Sequence, residues 1–464
     1  MPIDRERAEI ATERPPAKGD GSGALRSTRA LWIVHGIDPR SLGVAITVKS
    51  DAEVTVGRSD ASVVIDDPWL SRCHLILENV GGSVVVRDAH TSNGSKVNGR
   101  PSAERVLQDG DVVRIGATLL VYGDGVVEQD DLGLAGRSRA LAEVRRSVRA
   151  LARTSRPVHV TGPTGCGKEV VARAIHRESR RPGTLHAFNV ANLVPGLVEA
   201  QLFGHGRGVF TGASVDREGL FEAANGQTLL LDEIGELALE LQPKLLRVAE
   251  TGSVHRLGDA TPRQVDVRLI TATLRSLSQL VAEGRFREDL YWRLCHDEIA
   301  VPGLRGRPLD IVPIIASVLA ERGGPTLSAL AATRAAAYGM ADIVERLLCY
   351  GWPGNARELR DEVLRIADAA AQVPGQALVA ESVLGRRLLE AGFAEPEVAE
   401  DAAEFDLTVL KDPEALLALI RDTHGGNVKG FAEQVARATG KPWRTIHRGV
   451  YDTLGKERLA RLRS

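Results

Sequence analysis

Short runs of β-branched and apolar residues, separated by turn residues, fill the chain from 31 to 122. The runs lie at 45–48, 54–56, 63–65, 75–77, 84–86 and 112–115. Glycine and asparagine mark the turns between them, as at Asn93-Gly94 and Asn98-Gly99. Many short strands with turns at this spacing are typical of a β-sandwich. We therefore predict an all-β domain at 29–124, after a polar leader at 1–28 that we expect to be disordered.

The pattern changes after an acidic stretch at 125–134, which we expect to be a linker. The β-branched run 158–161 predicts a buried strand, and the segment 169–177 has helix-forming composition. A second apolar strand is expected at 228–231. Strands that alternate with helices predict an α/β domain with a parallel sheet, here at 135–302.

The rest of the chain reads as helical. After Arg357 the chain is alanine-rich and predicts helix to about residue 371, and helical composition continues through 379–391. The acidic and poorly patterned stretch 392–408 is expected to be a linker, and 409–464 regains helical periodicity. The expected fold is therefore multidomain: an all-β sandwich, an α/β domain with a helical lid, and a small α-helical domain at the end of the sequence.

Composition changes this picture only a little. The 464 residues suffice for about three domains, and 43% hydrophobic with 26% charged residues is normal for a soluble globular protein. The net charge of −2 means that any contact with nucleic acid must be local. The cysteines lie far apart, so we expect neither a disulfide framework nor a zinc site. No apolar run approaches the length of a membrane span, and a cytoplasmic protein without membrane contact is the simplest interpretation.

A glycine-rich turn stands between the strand 158–161 and the helix that follows it. It consists of Gly162, Pro163, Thr164, Gly165, Cys166, Gly167 and Lys168. Strand, turn and helix in this order predict a phosphate-binding loop, in which backbone N–H groups surround a polyphosphate and Lys168 reaches the β- and γ-phosphates of ATP. The next residue is Glu169, where most such loops have a hydroxyl for Mg²⁺. The alternative is a turn that binds nothing.

Two acidic residues, Asp232 and Glu233, end the strand 228–231. The carboxyl ends of parallel strands meet at one edge of a sheet, so these acids should lie beside the phosphate-binding loop. We expect Asp232 to hold Mg²⁺ through water and Glu233 to polarise the attacking water. A helix cap is the alternative interpretation of such a pair.

Polar residues gather in the turns of the predicted sandwich. The motifs are Gly57-Arg58, Ser71-Arg72-Cys73-His74, Thr91-Ser92-Asn93-Gly94, Val97-Asn98-Gly99 and Leu107-Gln108-Asp109-Gly110-Asp111. An arginine with hydroxyl and amide groups at one end of a sandwich suits a phosphate dianion, although turn stabilisation alone is the alternative. In this order, the motifs resemble the forkhead-associated (FHA) domain, which binds phosphothreonine peptides.

The resemblance to FHA domains assigns roles to these turns. It implies that Arg58, Ser71 and Ser92 hold the phosphate with help from Arg72, and that Asn93 holds the peptide backbone. The partner would be a phosphothreonine protein or a Ser/Thr kinase.

A second resemblance covers about 134–370. The segments that support it are Glu199-Ala-Gln-Leu-Phe-Gly-His205, Gly208-Val-Phe-Thr-Gly-Ala213, Leu231-Asp-Glu-Ile-Gly-Glu-Leu237, Gly284-Arg-Phe-Arg-Glu-Asp-Leu-Tyr-Trp-Arg-Leu294 and Trp352-Pro-Gly-Asn-Ala-Arg-Glu-Leu359. They resemble the AAA+ domain of bacterial sigma-54-dependent activators, which implies an α/β subdomain at 135–302 and a helical lid at 303–391. In that family, the segment that is here Gly208, Val209, Phe210, Thr211, Gly212 and Ala213 contacts the sigma factor.

The same resemblance implies further roles around the nucleotide. Arg287 and Arg293 match the arginines that act in trans in a ring, and Arg357 matches the arginine that reports γ-phosphate to the lid. Asn189 aligns with the asparagine that switches Glu233 between idle and active positions. One departure matters: the family's Ala-Thr-Asn segment reads Ala272-Thr273-Leu274 here, so Thr273 remains but the amide is lost, which puts the hydrolysis rate in question. A solvated basic helix face is the alternative for the two arginines.

Basic residues outnumber acidic ones from Arg437 onward, which is the electrostatic signature of a DNA contact. The segments 425–427 and 444–448 resemble the Fis-type helix-turn-helix that ends sigma-54 activators. The resemblance implies that Arg444, Thr445, His447 and Arg448 lie on the recognition helix. A basic helical tail without sequence recognition is the alternative.

Together, these patterns predict an ATP-dependent activator of sigma-54 RNA polymerase. It would bind double-stranded DNA upstream of promoters, assemble into a ring, expected to be a hexamer, and respond to phosphothreonine through its FHA domain. Two alternatives remain: a phosphopeptide-binding DNA adaptor whose ATPase is degenerate through Leu274, and an AAA+ remodeller of another protein.

Overall fold

The computed structural model describes residues 28–50, 52–128, 130–192, 197–209, 214–323, 334–372 and 384–390. The predicted leader, most of the sigma-factor loop (210–213) and the predicted DNA-binding residues Arg444, Thr445, His447 and Arg448 lie outside the described residues. Within the described part, no helix combines the length and apolar character that a membrane crossing requires.

The first domain is the predicted β-sandwich. Its strands are β1 (Thr28–His35), β2 (Ala45–Ile46), β3 (Glu53–Gly57), β4 (Val63–Val64), β5 (Leu75–Val80), β6 (Ser83–Asp88), β7 (Ser95–Val97), β8 (Arg100–Pro101), β9 (Glu104–Val106), β10 (Val112–Ile115) and β11 (Thr118–Gly125). One sheet has the order β2-β1-β11-β10-β7-β8 and the other β4-β3-β5-β6-β9. Alternate residues of each sheet, such as Leu31 and Ile33, fill the space between them.

Strand β1 is apolar on both faces. Leu31 and Ile33 point into the sandwich, whereas Ala30, Trp32 and Val34 point outward and are nevertheless buried. They belong to one apolar cluster with helices of the lid. The sandwich is therefore docked against the rest of the chain through its β1–β11 sheet.

The second domain is built on a parallel sheet, as predicted. Its elements are α1 (Arg139–Leu151), β12 (Val158–Thr161), α2 (Lys168–Ser179), β13 (Leu185–Asn189), α3 (Val198–Phe203), α4 (Leu220–Ala223), β14 (Thr228–Asp232), α5 (Gln242–Thr251), β15 (Ser253–Val254), β16 (Arg263–Gln264), β17 (Arg268–Thr273), α6 (Leu277–Ala282), α7 (Glu288–Leu294) and β18 (Glu298–Ala300). The sheet order is β13-β14-β17-β12-β18, with every pair parallel. Apolar side chains cover both faces, which explains why the strands read as continuous apolar runs.

The stretch expected to be a linker at 125–134 is packed onto the α/β domain. Leu132 and Leu134 are buried among residues of α1 and β12, and Glu128 pairs with Arg145 of α1. These two leucines anchor the stretch, whereas Asp130 and Asp131 stay exposed. Helix α1 begins after Ser138, whose side chain caps it, and ends at Leu151.

The lid follows a short hinge segment at 301–310. Its helices in the described residues are α8 (Ile311–Glu321), α9 (Arg334–Cys349), α10 (Asn355–Gln372) and α11 (Arg386–Glu390). They bury Ile315, Leu347 and Trp352 against one another and against the outer face of the sandwich.

Asn355 fastens the lid to the phosphate-binding loop. It lies in the left-handed region at φ 53°, and its Nδ2 donates to the Thr164 carbonyl at 2.9 Å. Its Oδ1 accepts the Leu304 N–H at 2.7 Å. One side chain thus satisfies backbone groups of the loop and of the hinge.

Replacing this side chain tests the clamp. We expect Asn355→Ala to lower the free energy of unfolding by about 1–3 kcal/mol, because two backbone groups lose their partners. Asn355→Asp keeps the acceptor for the Leu304 N–H but loses the donor to Thr164. Its midpoint of urea denaturation should therefore lie between those of the natural protein and Asn355→Ala. Equal midpoints for all three would contradict the clamp.

Central-strand burial also predicts a pH dependence. His159 on β12 is 2% exposed, with Nδ1 2.9 Å from Thr271 Oγ1, and burial lowers the pKa of His159 from 6.5 to about 4 although Glu298 opposes the shift. The unfolded chain therefore binds a proton that the folded one does not between these values. The lowered pKa of His159 contributes on the order of 3 kcal/mol to the free energy of unfolding. This contribution is fully present above pH 6.5 and is lost as the pH falls toward 4.

The measurement is the difference in unfolding free energy between the natural protein and His159→Gln from pH 7 to pH 4.5. Groups that titrate in both proteins cancel in this difference. The difference should shift in favour of the variant as pH falls, and a constant value would refute the assignment.

Candidate functional site

The loop between β12 and α2 is a backbone cradle that glycine makes possible. Gly162, Gly165 and Gly167 all have positive φ, at 142°, 71° and 109°. A Cβ on Gly162 would lie 2.4 Å from the Val301 carbonyl oxygen, and one on Gly165 would lie 2.3 Å from that of Gly354. Next to Gly167, by contrast, no described atom comes within 4 Å of such a Cβ. The loop is therefore closely backed by the hinge and lid and open at Gly167.

Positive charge faces this opening. Lys168 is the first residue of α2, whose first-turn N–H groups have no partner within the helix. Its Nζ donates to the Gly162 carbonyl at 2.9 Å, which holds the ammonium across the loop. An ammonium, a glycine cradle and a helix N-terminus together suit an anionic polyphosphate.

Arg307 of the hinge supports the loop from behind. It is 3% exposed, and its Nη2 donates to the Cys166 carbonyl at 2.9 Å, while its Nη1 lies 3.4 Å from Asp310. The Cys166 side chain is itself buried, and burial raises the pKa of its thiol. Cys166 is therefore a packing residue of the loop. Sequence reasoning missed Arg307, since a lone arginine in a hinge has no distinguishing pattern.

The two acids stand at the carboxyl edge of the sheet. Asp232 ends β14, and its Oδ1 accepts the Glu233 N–H at 3.0 Å. Glu233 has φ 55°, a left-handed conformation that turns its side chain out of the strand direction. Its Oε2 accepts the Leu274 N–H at 3.2 Å. Leu274 thus holds Glu233 through its backbone, a contact that a side-chain pattern does not reveal.

Asn189 and Thr273 flank the acids and bond elsewhere. Asn189 lies opposite Asp232 in the sheet register, but its Oδ1 accepts the N–H of Ala191 at 2.9 Å. Thr273 is 2% exposed, and its Oγ1 accepts the Arg275 N–H at 3.2 Å. The structure brings both residues near Glu233 without a hydrogen bond to it.

The donor set limits how a metal could bind. Among the described residues, no group of three or more His, Cys, Asp or Glu side chains is arranged to hold a metal ion. Glu169, at the position of the usual hydroxyl, is exposed and pairs with Arg173 at 2.6 Å. Asp232 is the carboxylate that fits Mg²⁺, which keeps waters and takes most other ligands from phosphates.

The predicted arginines occupy exposed positions. On α7, Arg293 donates to the Ala249 carbonyl, and Arg287 at its N-terminal end pairs with Asp289 at 2.7 Å, which lowers the pKa of Asp289. Arg357 is exposed at the start of α10, where its Cβ packs beside Gly165 of the loop. At the sigma-factor segment, Gly208 has φ 80° and Val209 is 38% exposed, whereas Phe210, Thr211, Gly212 and Ala213 lie outside the described residues.

The predicted phosphopeptide residues come together at one end of the sandwich. The Arg58 N–H donates to the Ser71 carbonyl at 2.9 Å, and Asn93 Nδ2 donates to the carbonyl of Trp69 at 2.8 Å. Arg58, Arg72, Ser92 and Asn93 are exposed and Ser71 is half-buried. Arg72 lies 3.6 Å from Asp60. Exposed donors on adjacent loops form a surface that suits a phosphate group.

Buried polar residues hold these loops in place. His74 accepts the Ser71 N–H at Nδ1, 3.1 Å away, and its Nε2 lies 3.2 Å from the Gly94 carbonyl. Burial lowers the pKa of His74, which favours the neutral ring that such an arrangement needs. Asn98, at φ 50°, bonds Asp111 and the N–H of Val112.

The chain is similar to characterised proteins in two regions. Residues 134–300 match the family described as Sigma-54 interaction domain, and residues 54–116 match the FHA domain family. The chain is 40% identical over 276 residues to the DNA-binding transcriptional regulator NtrC of Azospirillum brasilense, covering 59% of this chain and 54% of that protein. It is 44% identical over 247 residues to the anaerobic nitric oxide reductase transcription regulator NorR of Aeromonas hydrophila, covering 52% and 47%.

Among solved structures, NtrX from Brucella abortus in complex with ADP matches at 30% identity with a TM-score of 0.48, covering 70% of each chain. The chain spans about half the length of the curated relatives that it matches. The matched regions coincide with the phosphate-binding cradle and with the turns of the sandwich, so both predicted resemblances are confirmed. The central domain therefore belongs to the Sigma-54 interaction domain family, and the chain joins it to an FHA domain.

Proposed function

We propose that the protein hydrolyses ATP in its AAA+ domain and uses the energy to remodel the closed complex of sigma-54 RNA polymerase. The observation that supports this most is the convergence of the 162–168 cradle with Asp232 and Glu233 at one sheet edge, in a domain of the sigma-54 interaction family. NtrX from Brucella abortus, which is 30% identical to this chain over the matched part, has been solved in complex with ATP and with ADP.

Different groups around the cradle would bind the phosphates of ATP, hold Mg²⁺ and accept the proton of the attacking water. Backbone N–H groups around Gly167 and the ammonium of Lys168 would bind the phosphates. Asp232 would hold Mg²⁺ through water, and the ion would supply positive charge at the phosphates. The Leu274 N–H donates a hydrogen bond to Oε2 of Glu233. The other carboxylate oxygen, Oε1, would therefore accept the proton from the attacking water.

Hydrolysis in this proposal needs more than one copy of the chain. Arg287 and Arg293 lie on an exposed surface, from which they could reach the nucleotide of a neighbouring subunit in a ring, expected to be a hexamer. Arg357 would report the γ-phosphate to the lid. The loop of Phe210 and Thr211 would move with hydrolysis and push on the sigma factor, while Arg444, Thr445, His447 and Arg448 would hold DNA upstream of the promoter. This function places the protein in the cytoplasm.

The input would be a phosphothreonine partner. Arg58, Ser71 and Ser92 would bind the phosphate with Arg72, and Asn93 the peptide backbone. A phosphopeptide-binding adaptor without ATP turnover is the second candidate, because Leu274 lacks the amide of the family's sensor.

The central test separates ATP turnover from promoter opening. We expect Glu233→Gln to bind ATP normally and to lose turnover by about 10²–10⁴-fold, because a general base is removed. Thr211→Ala should keep turnover and lose transcription from a sigma-54 promoter in a purified system, whereas Lys168→Ala should lose ATP binding as well.

Each alternative predicts a different result. The natural protein would bind ATP without hydrolysing it if it were an adaptor. If the protein hydrolyses ATP but Thr211→Ala does not change transcription from the sigma-54 promoter, the protein would be a remodeller of another protein.

The phosphopeptide site can be tested by itself. We expect Arg58→Ala to weaken binding of a phosphothreonine peptide mixture with randomised flanks by about ten- to a hundredfold, because a charge-assisted hydrogen bond is lost. Fluorescence anisotropy measures this, with the unphosphorylated mixture as reference. Arg40→Ala is the matched control, since Arg40 is also exposed and pairs only with nearby Asp38 among the described residues. Equal affinity of Arg58→Ala and Arg40→Ala would place the site elsewhere.

A further inference from the structure

The FHA domain is joined to the lid by more than apolar packing. Arg114 of β10 is 2% exposed, and its Nη1 donates to Glu345 of α9 at 2.6 Å and to Asp342 at 3.1 Å. Glu345 is fully buried. A buried pair of this kind is strongly destabilised when one partner leaves, so it specifies one docked position.

Two aromatic side chains complete the contact. The Arg114 guanidinium lies 4.6 Å from the centre of the Tyr338 ring, and the ring centre of Trp69 lies 5.4 Å from that of Tyr338. Tyr338 is on α9 and Trp69 is on the turn 67–70 of the FHA domain. Cation–π and aromatic contacts of this kind add a directional attraction to the apolar packing between the two domains.

The docked FHA domain also crosses the hinge. Gly110 lies against Pro308 and Gly123 against Leu309, and Gly125 at the end of β11 forms a β-bridge with Ser138 just before α1. One domain thus contacts the lid, the hinge and the start of the α/β domain. We therefore expect a change in the angle between lid and α/β domain to disturb at least one of these contacts.

The same turn links this contact to the phosphopeptide residues. The carbonyl of Trp69 accepts the Asn93 amide at 2.8 Å, and Trp69 lies two residues before Ser71. Asp67 anchors the turn by accepting the N–H groups of Trp69 and Ala117. A peptide whose backbone takes the Asn93 amide therefore competes with the Trp69 carbonyl.

From this geometry we infer that the docked FHA domain restrains the ATPase by bridging its hinge, and that a phosphothreonine peptide releases it by drawing Asn93 away from the Trp69 turn and weakening the contact of Trp69 with Tyr338. The inference rests on the proposed ATPase and phosphopeptide functions and adds the sign and the route of their coupling. In many enzymes the opening or closing of a lid limits the rate of turnover, so a contact that restrains the lid can lower that rate. Coupling between two binding sites in one protein usually changes affinity by about 5–150-fold.

The test uses full-length protein with Tyr338→Ala and its matched control Tyr338→Phe, which keeps the ring. We expect Tyr338→Ala to raise basal ATP turnover about tenfold and Tyr338→Phe to leave it unchanged. Trp69→Ala removes the contact from the other side and should raise basal turnover likewise. The phosphothreonine peptide mixture should stimulate the natural protein and Tyr338→Phe but not Tyr338→Ala, and the unphosphorylated mixture should stimulate none.

Turnover of Tyr338→Ala and Trp69→Ala at or below that of Tyr338→Phe would overturn the inference while leaving the ATPase intact. If no variant hydrolyses ATP, the proposed ATPase fails, and hydrogen exchange decides the coupling separately. Phosphopeptide should then accelerate amide exchange in α9 and β11 of the natural protein, and unchanged exchange at saturating peptide would overturn the coupling.

Discussion

The backbone of the phosphate-binding loop is held by side chains of the hinge and lid, and this attachment governs the rest of the molecule. Arg307 bonds the Cys166 carbonyl, and Asn355 bonds the Thr164 carbonyl. Gly165 meets the Gly354 backbone so closely that a side chain at this position is excluded. A loop held in this way cannot change its curvature independently of the lid. The position of the lid therefore bears directly on how the loop presents its N–H groups.

Docking of the FHA domain extends this mechanical unit. The outer face of β1 and β11 contributes Trp32, Leu119 and Val121 to the lid's own apolar core. Apolar burial supplies most of the attraction in such a contact, and the Arg114–Glu345 pair adds position more than strength, because its desolvation offsets much of its Coulomb energy. The sandwich thus behaves as a third layer on the lid rather than as a tethered module.

The sequence predicts local elements well where one physical rule dominates. The strands 158–161 and 228–231 are β-branched or leucine-rich runs that a doubly covered parallel sheet requires, and the structure places strands there. The turns of the sandwich carry glycine and asparagine at positive φ, as Asn98 does. The FHA–lid contact was not predicted, although β1 is apolar at consecutive positions, Leu31 and Trp32 among them, which indicates burial on both faces. Nothing in one sequence indicates that the outer partner of this strand lies in the lid.

Glu233 is held in place even though this chain has Leu274 where the family has an asparagine. A side-chain asparagine at position 274 could orient the carboxylate or the γ-phosphate, and leucine can do neither. The Leu274 N–H nevertheless bonds Glu233, and this group is present whatever residue follows Thr273, proline excepted. The β17 strand end, which fixes this N–H, is in parallel register with β14, which presents the acids. Orientation of Glu233, the proposed general base, is therefore set by the sheet edge, and we expect Leu274 to affect contacts to the phosphate instead.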